Sequence, residues 1–255
     1  MSGHSKWAKI HRAKEITDQK RGQSFTKLSN AITLAVREGN GVADPDFNFK
    51  LRLAIEKARE LNMPKDNISR AIDRAAGKGE GGFLEEIIYE GYGPGGVGFL
   101  VQSVTDNRQR TVQEVKNAFD RAGGAVASPG SVSFNFKKVG YLTLPAGKAL
   151  EEVMLKVMDM GVDDVEDEGE GILGIYTSPE NLIQIKDKIT QSGLTPETVE
   201  IVMKPINFVP ITDQKSAQQN LNLVEKLEAL DDVQKVFTNL DIPDEFLNVS
   251  SNQTP

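Results

Sequence analysis

The apolar pattern of this chain changes across Gly77, Gly79, Gly81 and Gly82, from helical spacing alone to strand and helix spacing mixed, and that change sets the class of fold. Before the glycines, apolar side chains recur three and four apart, the spacing of one helix face. Phe25, Leu28, Ile32, Ala35 and Val36 make one stripe, ended by Gly39 and Gly41. Leu51, Ala54, Ile55, Ala58 and Leu61 make a second. Pro64 opens a third, whose buried face is Ile68, Ala71, Ile72 and Ala75. Proline is tolerated there because a first-turn N–H has no partner within the helix. Three stripes predict a small helical bundle over residues 1–78, and the glycines predict a flexible linker and a domain boundary.

After the glycines the pattern is that of strands and helices together. Ile87, Ile88 and Tyr89 run through a Gly-rich turn (91–98) into Phe99, Leu100, Val101 and Val104, which predicts a hairpin. Thr111-Val112-Gln113-Glu114 reads as a capping box, opening a helix that ends at Gly123-Gly124. Val132, Phe134 and Phe136 alternate as a strand. Residues 139–204 then read as strand, helix, strand, strand, helix, strand, the order of a ferredoxin-like split βαβ unit. A short strand near 208–211, a helix through Leu221, Val224 and Leu227, and a strand over 233–238 would complete the sheet begun at residue 84. The expected fold is α+β. Residues 79–138 and 205–247 form a discontinuous middle α/β domain, 139–204 a ferredoxin-like domain inserted in it, and 248–255 a frayed tail.

Charge is divided along the same boundary. Residues 1–78 hold sixteen Lys and Arg against nine Asp and Glu, a balance of +7; the whole chain is −7, so residues 79–255 carry −14. A chain that gathers its cations at one end points that end at a polyanion. The gradient is steepest where Lys6, Lys9, Arg12, Lys14, Lys20 and Arg21 face only Glu15 and Asp18. A solvated helix face usually carries both signs, so the imbalance predicts phosphate contact. Trp7, the single tryptophan, either stacks on a base or pins the polar arm to the bundle. Lys65, Arg70 and Arg74 lie along the third helix, and like charges one turn apart disfavour it slightly. An external anion would explain them; solvent would serve equally. Arg108 and Arg110 precede the capping box, where cations oppose the helix dipole. They either bind an anion with the free N–H groups or pair with acids of a neighbouring domain.

Several chemistries are disfavoured. Gly93-Pro94-Gly95-Gly96-Val97-Gly98 matches GxGxxG by letter, but it runs into a strand and contains proline, so no dinucleotide site is expected. The acids between Asp163 and Glu170 lack a calcium-loop pattern and read as a solvated turn. His4 and His11 are the only histidines and Cys is absent, which argues against a metal site or a thiolate nucleophile. A Ser-His-Asp triad would have to draw its histidine from the polar arm. No enzyme activity, metal or cofactor is expected. No apolar run approaches the roughly 20 residues that span a bilayer, so no membrane partner is expected. A cysteine-free chain suits a reducing compartment, the cytoplasm.

Specific strings add a resemblance. Gly3-His4-Ser5-Lys6-Trp7, Lys20-Arg21-Gly22, Phe25-Thr26-Lys27-Leu28, Asn62-Met63-Pro64-Lys65-Asp66-Asn67-Ile68, Tyr89-Glu90-Gly91-Tyr92-Gly93-Pro94-Gly95-Gly96 and Thr105-Asp106-Asn107-Arg108-Gln109-Arg110-Thr111, with Gly130-Ser131-Val132, resemble the YebC/PmpR family over nearly the whole chain. The resemblance implies a helical N-terminal domain followed by two ferredoxin-like domains, in a cytoplasmic regulator of gene expression. It implies a DNA-binding transcriptional regulator; other relatives, a mitochondrial translational activator among them, act at the ribosome, where bacterial ones relieve stalling at proline-rich stretches. DNA or ribosomal RNA is therefore the expected partner. Lys6, Trp7, Lys9, Arg12, Lys14, Lys20, Arg21, Lys27, Lys65, Arg70 and Arg74 are the expected contact residues. Where relatives carry Arg-Glu, this chain has Asn30-Ala31, which removes a cation from that helix.

Overall fold

The computed structural model describes residues 21–76, 84–243 and 246; the expected basic arm, glycine linker and tail lie outside them. The three apolar stripes form α1 (Arg21–Glu38), α2 (Phe49–Glu60) and α3 (Lys65–Ala75). Leu28, Ile32 and Val36 of α1 pack on Leu51, Ile55 and Ala58 of α2 and on Ile68 and Ala71 of α3. Leu61, counted in the second stripe, caps α2 instead and is 44% exposed. The connection into α2 is closed by buried Asn48. Its Oδ1 accepts from the Leu51 N–H at 3.1 Å, and its Nδ2 donates to the carbonyls of Ala35 (2.8 Å) and Val42 (2.9 Å). One amide thus caps one helix and ties down the end of another.

Two four-stranded sheets follow. In the first, β1 (Glu85–Tyr92) and β2 (Gly98–Thr105) form the expected hairpin, flanked by β3 (Ala125–Ala127) and β9 (Val233–Thr238) in the order β3-β1-β2-β9. α4 (Arg108–Ala122) and α7 (Gln214–Glu228) cover one face. The core there includes Phe99 and Phe119, edge to face with centroids 5.7 Å apart. All neighbouring strands are antiparallel. The layout is that of a ferredoxin-like sheet; the chain order, ββαβ and later αβ, is not.

The second sheet has the order β5-β6-β4-β7, built from β4 (Phe136–Pro145), α5 (Leu150–Met158), β5 (Asp164–Asp167), β6 (Ile172–Thr177), α6 (Leu182–Gln191) and β7 (Thr198–Pro205). Here both the layout and the βαββαβ order are ferredoxin-like. The faces left free by the helices meet in a shared core of Leu100 and Phe237 with Phe136, Val139, Tyr141, Tyr176 and Val202.

Four local expectations are corrected. The short strand, β8 (Val209–Pro210), pairs in parallel with β10 (Leu240–Asp241) rather than joining the large sheet. The strand expected through Val132, Phe134 and Phe136 begins only at Phe136; residues 133–135 make a 3-10 turn. α4 begins at Arg108, because Asn107 rather than Thr111 caps it: Asn107 Oδ1 accepts from the Arg110 N–H at 3.1 Å. The acids at 163–170 are only in part a solvated turn: Asp163, Asp164, Asp167 and Glu170 are exposed, but two are not. Glu166 and Glu168 are buried, the Tyr141 hydroxyl donates to Glu168, and Lys204 bridges Asp164 and Glu166 at 2.9 Å each. The Lys204 ammonium also sits 3.5 Å from the centre of the Tyr176 ring.

Candidate nucleic-acid interface

One side of the helical bundle is occupied by the body. Lys27 Nζ donates to the Glu228 carbonyl, at the C-terminal end of α7, where a cation is favoured by the helix dipole. Arg37 Nη1 donates to the Leu84 carbonyl at 3.2 Å. Glu56 pairs with Lys186 of α6 at 3.2 Å, and Phe49 packs on the core of the second sheet. Lys27, expected to face nucleic acid, therefore joins the bundle to the first α/β sheet.

Other cations face water. Lys65 and Arg70 are exposed on α3, and Lys57 and Arg59 are exposed on α2. Arg70 is steadied within its own helix, donating from Nε to the Asp66 carbonyl at 3.2 Å and from Nη2 to the Asn67 side chain. Arg74 is half-buried, with Nη2 3.5 Å from Ser29 Oγ of α1. Lys57 and Arg59 carried no separate signal in the sequence; only the packing of α2 shows which of its cations point outward. Asp66 and Asp73 share the outer face of α3, so its charge is mixed. Lys6, Trp7, Lys9, Arg12, Lys14 and Lys20 lie outside the described residues. Arg21 opens α1, and its side chain also lies outside them.

Arg108 and Arg110 find partners within their own sheet domain. Arg110 Nη2 meets Asp232 at 2.7 Å and Asp106 at 3.1 Å. Asp232 is buried and also accepts from the hydroxyls of Thr105 (3.0 Å) and Thr111 (2.7 Å). This one carboxylate, at the start of β9, collects the polar side chains of the β2–α4 turn. Arg108 lies 3.6 Å from Glu85 on the surface, a weak pair.

Glu90 carried no signal of its own in the sequence, yet it organises the centre of the molecule. The residue is 6% exposed, and its carboxylate accepts from the backbone N–H groups of Gly130 (2.7 Å), Val132 (2.6 Å) and Ser133 (2.9 Å). Burial pushes its pKa up, but those three donors more than offset that and hold the carboxyl below its usual range. The Tyr92 hydroxyl donates to the Ser131 carbonyl beside it. The two strings Tyr89–Gly96 and Gly130–Val132 are thus halves of one structure. Gly91 belongs to it for lack of room: a Cβ there would lie 2.6 Å from the Phe119 ring. Among the described residues no group of three or more His, Cys, Asp or Glu is placed to hold a metal ion, and no helix is long and apolar enough to cross a membrane.

Comparison with known proteins matches both parts of the chain. A model of the TACO1/YebC protein N-terminal domain fits residues 5–78, and one of the TACO1/YebC second and third domain fits residues 84–240. A protein of Chloroflexus aurantiacus named "Probable transcriptional regulatory protein" is 49% identical over 250 residues, 97% of this chain and 98% of that one. One of the same name from Aquifex aeolicus is 45% identical over 248 residues, again 97% and 98%. The crystal structure of a conserved hypothetical protein from Aquifex aeolicus superposes with a TM-score of 0.82 at 43% identity, covering 89% of this chain and 93% of that one.

Proposed function

The chain belongs to the TACO1/YebC family, and from that premise we propose that it is a cytoplasmic transcriptional regulator that binds DNA through its basic helical domain. The observation that carries this reading is the division of charge, +7 over residues 1–78 against −14 over the rest. Lys57, Arg59, Lys65 and Arg70 are exposed on the bundle and are open to a ligand. The acidic body is repelled by an extended duplex, so contact is made by one end of the molecule, through phosphates. The two α/β domains set the shape behind that end. Catalysis has no place in this account.

The test is duplex binding measured by fluorescence anisotropy from 50 to 300 mM salt. Each phosphate neutralised contributes about −0.9 to the slope of log K against log salt. A binding surface of several cations predicts a slope of roughly −3 or steeper. A slope shallower than about −1 would remove the electrostatic basis of the proposal.

A further inference from the structure

Between the two sheets the chain crosses twice, through residues 128–138 on the way out and 204–208 on the way back, and the crossings are bonded together by the Ile206 N–H to the Asn135 carbonyl at 2.7 Å. Phe134, one residue before the acceptor, and Ile206, the donor residue, are 68% and 56% exposed. Lys137 and Lys138 follow at once and are exposed as well. The surface is not loose. Glu90 grips the N–H groups of Gly130, Val132 and Ser133 from beneath, and Tyr92 holds Ser131. A rigid backbone therefore presents an aromatic ring to water.

The charge around it is unlike the rest of the body. From Arg121 to Leu150 there is no Asp or Glu, and Arg121, Lys137, Lys138 and Lys148 are all cationic; residues 201–212 also lack acids. The acids around it are already engaged: Glu90 is buried on the Gly130, Val132 and Ser133 N–H groups, Glu200 pairs with Lys235, and Asp164 and Glu166 are bridged by Lys204, which pairs in register with Lys137. An exposed aromatic ring close to an exposed apolar residue, followed by one lysine on each face of the next strand and free of carboxylates along its own stretch, is chemistry suited to stacking an unpaired base and neutralising the phosphates beside it.

We infer that Phe134, with Ile206, Lys137 and Lys138, is a second nucleic-acid contact, a stacking platform for an unpaired base. It uses residues that the basic-domain reading does not, so the two stand or fall separately. Duplexes keep their bases stacked and gain little from such a platform, whereas single strands gain from it directly.

The test compares the full-length protein and its Phe134→Ala variant on a 20-nucleotide single strand and on a duplex of equal length. Phe134 is exposed, so the variant is expected to melt where the wild type does. Single-strand affinity should fall about tenfold in the variant while duplex affinity stays within twofold. A strand carrying 5-iodouracil should photocrosslink to the 133–138 segment, read by mass spectrometry. Unchanged single-strand affinity in the variant, an equal loss on both ligands, or crosslinks confined to residues 1–78 would overturn the platform. Wild-type protein that binds duplex but no single strand would overturn it too, and would leave the basic-domain reading intact. Strong single-strand binding through Phe134 without duplex binding would do the reverse.

Discussion

Glu90→Gln should destabilise the protein by about 2–4 kcal/mol at neutral pH, because a buried side chain that satisfies three backbone donors is replaced by one whose amide group is itself a donor. For a chain of this size that is a fall in melting temperature of roughly 4–16 °C. The pH dependence identifies the cause. The folded-state pKa of Glu90 lies below its ordinary value of 4.5, so its stabilisation is fully present above about pH 4.5 and is lost as pH falls through the folded value. Gln does not titrate. The gap between wild type and variant should therefore be wide at pH 7 and narrow in acid. Urea unfolding at pH 7 and pH 3.5 measures it. A gap below about 1 kcal/mol at pH 7, or one of equal size at both pH values, would show that the three N–H groups do not depend on this carboxylate.

The second large effect concerns binding. Lys65→Glu together with Arg70→Glu reverses two exposed charges on α3 without touching the bundle core. Affinity for duplex DNA should fall roughly 10- to 100-fold at 100 mM salt, and the salt slope should become shallower by about two, one for each phosphate that is no longer neutralised. The effect should be uniform across DNA sequences, because phosphate contacts position a protein without reading bases. Lys27→Glu makes the contrast. It abolishes the bond to the Glu228 carbonyl, so it should loosen the bundle from the body more than it weakens binding. If the α3 double variant binds every duplex as the wild type does, α3 is not part of the interface.

What the sequence made legible follows from the range of each signal. The helix stripes and the βαββαβ unit were visible because apolar periodicity repeats over many residues. β8 was misplaced because a two-residue strand has no period to read. Phe134 fitted an alternating pattern, but Glu90, more than 40 residues earlier, takes the N–H groups of Val132 and Ser133 and turns the chain before it. Asn107 and Thr111 are both capable of capping, and what separates them is Asp232, which draws the Thr111 hydroxyl inward. The charge division was plain from composition. Which cations face water was not: Lys27 ends on a backbone carbonyl, and no side chain in the sequence signals such a partner. Arg110 shows the same limit, since its carboxylate lies 122 positions away.

The most direct measurement is ultraviolet crosslinking of the protein to nucleic acid in cells, followed by sequencing of what is recovered. A DNA-binding transcriptional regulator predicts enrichment of discrete promoter DNA, abolished in the Lys65→Glu, Arg70→Glu variant. Recovery of ribosomal RNA at a defined position, with no enrichment of promoter DNA, would contradict that account and place the basic domain on the ribosome instead.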